Sequence, residues 1–253
     1  MKRPLLLATV ALAMGLFAAV GWWLAMMGTA TPAGAATLCA PAASYSIQDA
    51  IDDAGDGDTV RIVYGTWHET LVITEDITLQ GGWNKDCTVQ TYTDPSYTVI
   101  DGDASGSVVC ITDGSEATLE SLTLTNGQAQ KGGGVYVLSA SPTLSNVVVT
   151  SNVISPTGSS LAQAAYGGGV FVHNGTITLT DSDITFNTSH PSHSGYCFGG
   201  GLALYGPYGA EGKAVLEGTC ILSNTNPSDS QLHAGGLYLH PYSQVTSSRG
   251  PTT

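Results

Sequence analysis

Apolar and polar positions alternate with a period of two in short runs that recur along the second half of the chain. Gly132-Gly-Gly-Val-Tyr-Val137, Gly167-Gly-Gly-Val-Phe-Val172 and Gly199-Gly-Gly-Leu-Ala-Leu204 are three copies of one run, and Gly235-Gly-Leu-Tyr-Leu239 is a shorter fourth. Each of the first three leads into a second apolar run ending in Asn152, Asn187 or Asn224, at steps of 35 and 37 residues. Aligned, the copies form apolar columns. Leu119, Leu144, Leu179 and Leu216 share one, and Leu124, Val149, Ile184 and Ile221 another. Val135, Val170, Leu202 and Leu237 form a third, and Val137, Val172, Leu204 and Leu239 a fourth. A period of two marks strands with one face inward. Like residues recurring in register mean that each unit stacks parallel on its copy, which predicts a β-solenoid of six to eight coils.

The compact unit from Gly132 to Asn152 has the length of one coil, and the glycines and asparagines fall where its corners must lie. Glycine lets the backbone turn tightly, and asparagine is expected to bond the coil above while adopting a left-handed turn. The column of Leu122 and Val147 is broken by Ser182 and Thr219, so an inward hydroxyl there needs a partner. Insertions 153–166, 188–198 and 225–234 leave one corner and return at another, which predicts a shared binding side. A further loop, 205–213, lies elsewhere.

Upstream, Ser46-Ile-Gln-Asp-Ala-Ile-Asp-Asp-Ala-Gly55 predicts a short helix capped by Ser46, with Ile47, Ala50, Ile51 and Ala54 on one face. It is placed to close the open apolar end of the stack. Residues 1–35 read as a signal peptide: Lys2 and Arg3, an apolar stretch from Pro4 to Met27, and Ala33-Gly34-Ala35 as a cleavage site. An uncleaved membrane anchor is the rival reading, and the only route by which the chain would meet a membrane. The expected organisation is 36–58 as an amino-terminal cap, 59–246 as the repeat domain and 247–253 as a loose tail.

The formal net charge is -13. Beyond the leader the basic residues are Arg61, Lys85, Lys131, Lys213 and Arg249, which excludes nucleic acid as a partner. All five cysteines follow the leader, in a setting that permits disulfides. The expected pairs are Cys39 with Cys87, pinning the new amino terminus, and Cys197 with Cys220, meeting on the surface. Cys110 is left over.

The repeated Gly-Gly-small-aliphatic element, with Val149-Thr-Ser-Asn152, Ile184-Thr-Phe-Asn187 and Ile221-Leu-Ser-Asn224, resembles the polymorphic outer membrane proteins and the wider pectin-lyase-like group. The lead-in Gly65-Thr-Trp-His-Glu69 is similar to the start of many secreted bacterial β-helix proteins. The resemblance implies an all-β fold, a single-stranded right-handed parallel β-helix with a short amino-terminal capping helix, in a protein secreted from or displayed on a bacterium. It leaves function open between enzymes and adhesins.

The candidate chemistry is sparse. Asp101 and Asp103 in Ile-Asp-Gly-Asp-Ala form a turn able to hold calcium, the one cofactor considered. Asp49, Asp52, Asp53, Asp56 and Asp58 form a second acidic stretch near the cap. Asp181 and Asp183 flank the inward Ser182 and face outward together, a spacing compatible with acid–base work on a glycosidic bond. His190 and His193, with His173, His233 and Cys197, raise a metal question. Tyr136, Phe171 and Tyr238 share an outward column interrupted by Ala203, and offer either self-packing or flat surfaces to sugar rings. A polyuronate lyase needs a basic residue beside a carboxylate pair, and Arg61, Lys131 and Lys213 do not supply one. On balance the sequence favours a non-catalytic protein that binds an extracellular polysaccharide or a surface protein. The alternative is a polysaccharide-active enzyme, a lyase or a glycoside hydrolase.

Overall fold

The computed structural model describes residues 34–41, 45–155, 164–189, 196–225, 232–233 and 235–248. The expected signal peptide, and the histidines at 190 and 193, lie outside them. Among the described residues no helix is long and apolar enough to cross a membrane.

Among the described residues every strand-to-strand ladder is parallel, and the chain winds as a parallel β-helix. The longest face runs through eight strands: Thr37–Ala40, Thr59–Val63, Thr78–Trp83, Thr118–Thr125, Thr143–Thr150, Thr176–Thr180, Lys213–Glu217 and Gln244–Ser248. A second face stacks Leu71–Ile73, Val109–Ile111, Val135–Leu138, Val170–His173, Leu202–Tyr205 and Leu237–Leu239. Two narrow strips of two-residue strands complete the coil. The sequence columns are the observed registers: Leu144 pairs with Leu119 and Leu179, Val149 with Leu124 and Ile184, and Val170 with Val135 and Leu202. Stacking like on like builds the core, where these side chains lose essentially all solvent contact.

Left-handed residues turn the corners. Ser121, Asn146, Asp181 and Gly218 form one such column, with φ of 55°, 54°, 47° and 59°. Asn126, Ser151, Phe186 and Ser223 form another, as do Asp113, Ser139 and Asn174, and Gly132, Gly167 and Gly199. The expected left-handed asparagine is thus corrected by one position: the residue before Asn152, Asn187 and Asn224 makes the turn. The asparagine itself is then free to point inward. Its Oδ1 accepts from the backbone of the preceding coil, Gly127 N to Asn152, Asn152 N to Asn187 and Asn187 N to Asn224. Its Nδ2 donates to Leu124, Val149 and Ile184 carbonyls respectively. The third glycine of each run exists because of this ladder: a Cβ on Gly169 would sit 2.7 Å from Asn187 Nδ2.

The two hydroxyls in the broken column find partners as they must. Ser182 is buried, accepts from Val147 N at 3.0 Å and donates to main-chain carbonyls, and Thr219 donates to Leu179 O. At the amino-terminal end, helix α1 spans Ile47–Asp52. Ser46 caps it with Asp49 in a reciprocal capping box. Ile47, Ala50 and Ile51 are buried in the main core.

Cys39 and Cys87 are joined, with Cα atoms 5.7 Å apart. The pair expected between Cys197 and Cys220 is not formed. Cys220 is an exposed free thiol on the long face, whereas Cys197 is buried on a glycine-side strip with Ile154 and Ala165. The re-entering strand points that side chain inward, away from the surface the bond would need.

Candidate functional site

Among the described residues, stacking brings one set of histidine and aspartate side chains together. Gly65–His68 and Thr98–Asp101 lie side by side on the bent second half of the long face, with His68 paired to Asp101. Both occupy the outward parity, since Val99 and Asp101 alternate with the buried Thr98 and Ile100. Past Asp101 the chain turns through two left-handed residues, Asp103 at 48° and Ala104 at 54°. That turn folds Asp103 back onto His68, and His68 Nδ1 meets Asp103 Oδ1 at 2.9 Å. Asp101 Oδ1 accepts from Asn126 Nδ2 at 2.7 Å and from Asp103 N at 2.9 Å. One donor atom each from His68, Asp101 and Asp103 falls within 4.8 Å of the others, a set that could hold a metal ion.

His68 and Asp103 are each 57 % exposed, and they border an open depression of about 180 Å³ also lined by Glu69, Thr70, Gly102 and Ser105. The carboxylate accepts, so Nδ1 carries the proton and Nε2 is left with its lone pair. The hydrogen bond to Asp103 is the main reason that the imidazole binds its proton more tightly than an ordinary histidine, followed by the charge of Asp103. Burial opposes the shift weakly, and the charge of Asp101 adds to it. Glu69 is turned the other way: its two oxygens accept from Ile47 N and Gln48 N, tying this rim to α1.

The other sequence candidates separate. Asp181 makes a left-handed corner and Asp183 continues the next strand. Their rung neighbours include Val148 and Cys220, so the stack adds no further acid to the pair. Tyr136 and Phe171 stack at 5.6 Å, but Phe171 is only 2 % exposed because Tyr166 stacks over it at 5.1 Å. Phe198 stacks on Tyr166 at 4.9 Å and meets Tyr238 at 4.7 Å. The column therefore packs on itself, and Phe171 as a sugar platform is corrected by its burial. His173 is half-buried, and burial makes it harder to protonate. His233 is described only in its backbone.

His68 is the residue the sequence reading missed. It stood in Gly65-Thr-Trp-His-Glu69, seen only as a lead-in element. The signal that finds it is the alignment of Trp67-His68 with Ile100-Asp101, across coils of unequal length.

No protein-family profile matches the chain, and no curated protein matches it. Among solved structures it is similar to a pectin methylesterase from Aspergillus niger in deglycosylated form, at 17% identity, 87% of each chain covered and a TM-score of 0.35. A rice weevil pectin methyl esterase is similar at 10% identity, covering 80% of this chain and 84% of that one, with a TM-score of 0.31. Likeness at this level concerns winding alone. The resemblance to polymorphic outer membrane proteins gains no support. The expectation of a non-catalytic protein does not stand either, because the chain assembles a His/Asp set that its sequence did not reveal.

Proposed function

We propose that this protein is an exported, polysaccharide-active enzyme whose reacting centre is His68 with Asp103 and Asp101. The observation that carries the reading is the 2.9 Å contact between His68 Nδ1 and Asp103, which fixes the tautomer of a histidine that borders the open depression. A base oriented by a carboxylate is the minimal machinery for proton transfer. His68 takes a proton from an attacking water, Asp103 holds the ring, and Asp101 adds negative charge that steadies the imidazolium formed. Elimination would require an acidic sugar, and a chain of net charge -13 repels polyanions. Hydrolysis of a neutral or esterified glycan is therefore the favoured reaction. The capping helix tied to Glu69 keeps the rim in place, and the 36–58 cap belongs to the same working unit.

The test is a panel of neutral, esterified and acidic polysaccharides, read for new reducing ends, released acid and absorbance at about 235 nm from unsaturated products. Hydrolysis by the wild type and its loss in His68→Ala and Asp103→Asn, both folded, supports the reading. Unsaturated products would replace hydrolase by lyase. Activity undiminished in His68→Ala would remove this centre from consideration.

A further inference from the structure

We infer that His68, Asp101 and Asp103 bind one divalent transition-metal ion, of the zinc, cobalt or manganese class, in preference to calcium. The inference rests on that site assignment and names a second state of the same centre, one that competes with proton transfer. The donor set decides the class. Calcium takes six to eight oxygens in a flexible shell. Here one of three donors is an imidazole nitrogen, which suits zinc and its neighbours. Reach also fits. Ligands about 2.0–2.2 Å from a tetrahedral ion lie roughly 3.3–3.6 Å apart, and these donors lie within 4.8 Å of one another, with His68 Nδ1 and Asp103 Oδ1 at 2.9 Å. Closing the set around an ion takes side-chain movement of at most about 1.5 Å, which the exposed His68 and Asp103 can give. The Asp101 carboxylate is held in place by Asn126 Nδ2 and Asp103 N, both donating to its Oδ1. The ion would take the place of the proton shared by His68 and Asp103, so metal loading and the proton-transfer state exclude each other. The remaining coordination positions face the open depression and water.

The experiment is calorimetric titration of the metal-stripped full chain with Zn²⁺, Co²⁺, Mn²⁺ and Ca²⁺, with the visible absorption of bound Co²⁺ as a second readout. We expect one ion per chain, with Zn²⁺ or Co²⁺ bound at least tenfold more tightly than Ca²⁺. His68→Ala and Asp101→Asn should each loosen it at least tenfold, whereas the double variant His190→Ala, His193→Ala should leave it unchanged. Equal or tighter Ca²⁺ binding, no binding at all, or binding indifferent to His68→Ala would overturn the inference. Occupancy is measured without substrate. A chain that hydrolyses glycans but fails to bind these ions defeats the metal inference alone, and a chain that binds them but is inactive when metal-free defeats only the functional reading.

Discussion

Replacing Asn187 by alanine tests what holds the coils in register. Asn187 is fully buried and sits at the middle of the ladder. Its Oδ1 accepts from Asn152 N at 2.9 Å and from Asn152 Nδ2 at 3.0 Å. Its Nδ2 donates to Val149 O at 2.9 Å and to Asn224 Oδ1 at 3.0 Å. Truncation does not strand every partner. Asn152 Nδ2 keeps Leu124 O, and Asn224 Oδ1 keeps Asn187 N. The Asn152 amide loses its side-chain acceptor, and the Val149 carbonyl loses a donor, both away from water. A buried unsatisfied group costs about 1–3 kcal/mol. The loss should therefore total about 3–4 kcal/mol, a large share of the 5–15 kcal/mol typical of a domain. Phe186→Ala, one residue earlier, is the control. That ring is 65 % exposed and its backbone makes the turn, so its removal should cost about 0.5 kcal/mol or less. Urea unfolding followed by circular dichroism gives the totals. Hydrogen exchange gives the location, and the Asn152 amide should lose protection first. A cost below about 1 kcal/mol for Asn187→Ala, with that amide still protected, would refute the ladder as the source of register.

Ser182→Ala should lose about 1–3 kcal/mol in the same urea assay, because Val147 N is left without an acceptor inside the core. Gly169→Ala should cost a similar amount or prevent folding, since the new Cβ would lie 2.7 Å from both Asn187 Nδ2 and Ile184 Cγ2. Opening the Cys39–Cys87 bond, which spans 48 residues, should lower stability by up to about 4 kcal/mol in the chain-entropy treatment, read as a reductant-dependent fall in Tm. Acid should loosen the amino-terminal cap. Backbone N–H groups of Gly55 and Ala36 hold the Asp58 carboxylate below its ordinary pKa, so its contribution is present at neutral pH and fades as pH falls through that lowered value. Limited proteolysis within 36–58 should rise there, and Asp58→Asn should flatten the dependence.

The repeat made the fold legible because a solenoid writes its register into like residues at fixed steps. Leu119, Leu144, Leu179 and Leu216 could stand in one column only if the strands ran parallel. Ser182 announced its own inward direction by replacing Val147, and Ser46 announced the cap. The corner chemistry was read one position off because both features of the corner, the left-handed turn and the inward amide, were assigned to the asparagine. A tandem Ser151-Asn152 or Phe186-Asn187 divides that work between two residues. Cys197 was misplaced for a related reason: whether a re-entering segment points a side chain in or out depends on a two-residue strand too short to show a period.

The site was hidden by the regularity that revealed the scaffold. His68 and Asp101 head one outward column, which continues as Thr125, Thr150, Thr185 and Leu222. In the repeated coils that column is a run of threonines, and Thr185 Oγ1 reaches toward Thr150 Oγ1 at 3.4 Å. Such residues suit a β-sheet surface and carry no special chemistry. The first two rungs depart from them with titratable groups, and the last with Leu222; the first two belong to coils with no clear internal copy. A residue repeated in every coil is explained by the coil. A residue that breaks a column without serving the core or a corner is left for function. Ser182 breaks its column but is satisfied inside, and Asp181 is accounted for by its left-handed turn. His68 and Asp101 break theirs on the outside, and Asp103 is bent back by consecutive left-handed residues to join them. Departure from the repeat, weighed against what the scaffold requires, therefore points to the His68 centre more directly than any motif in this chain.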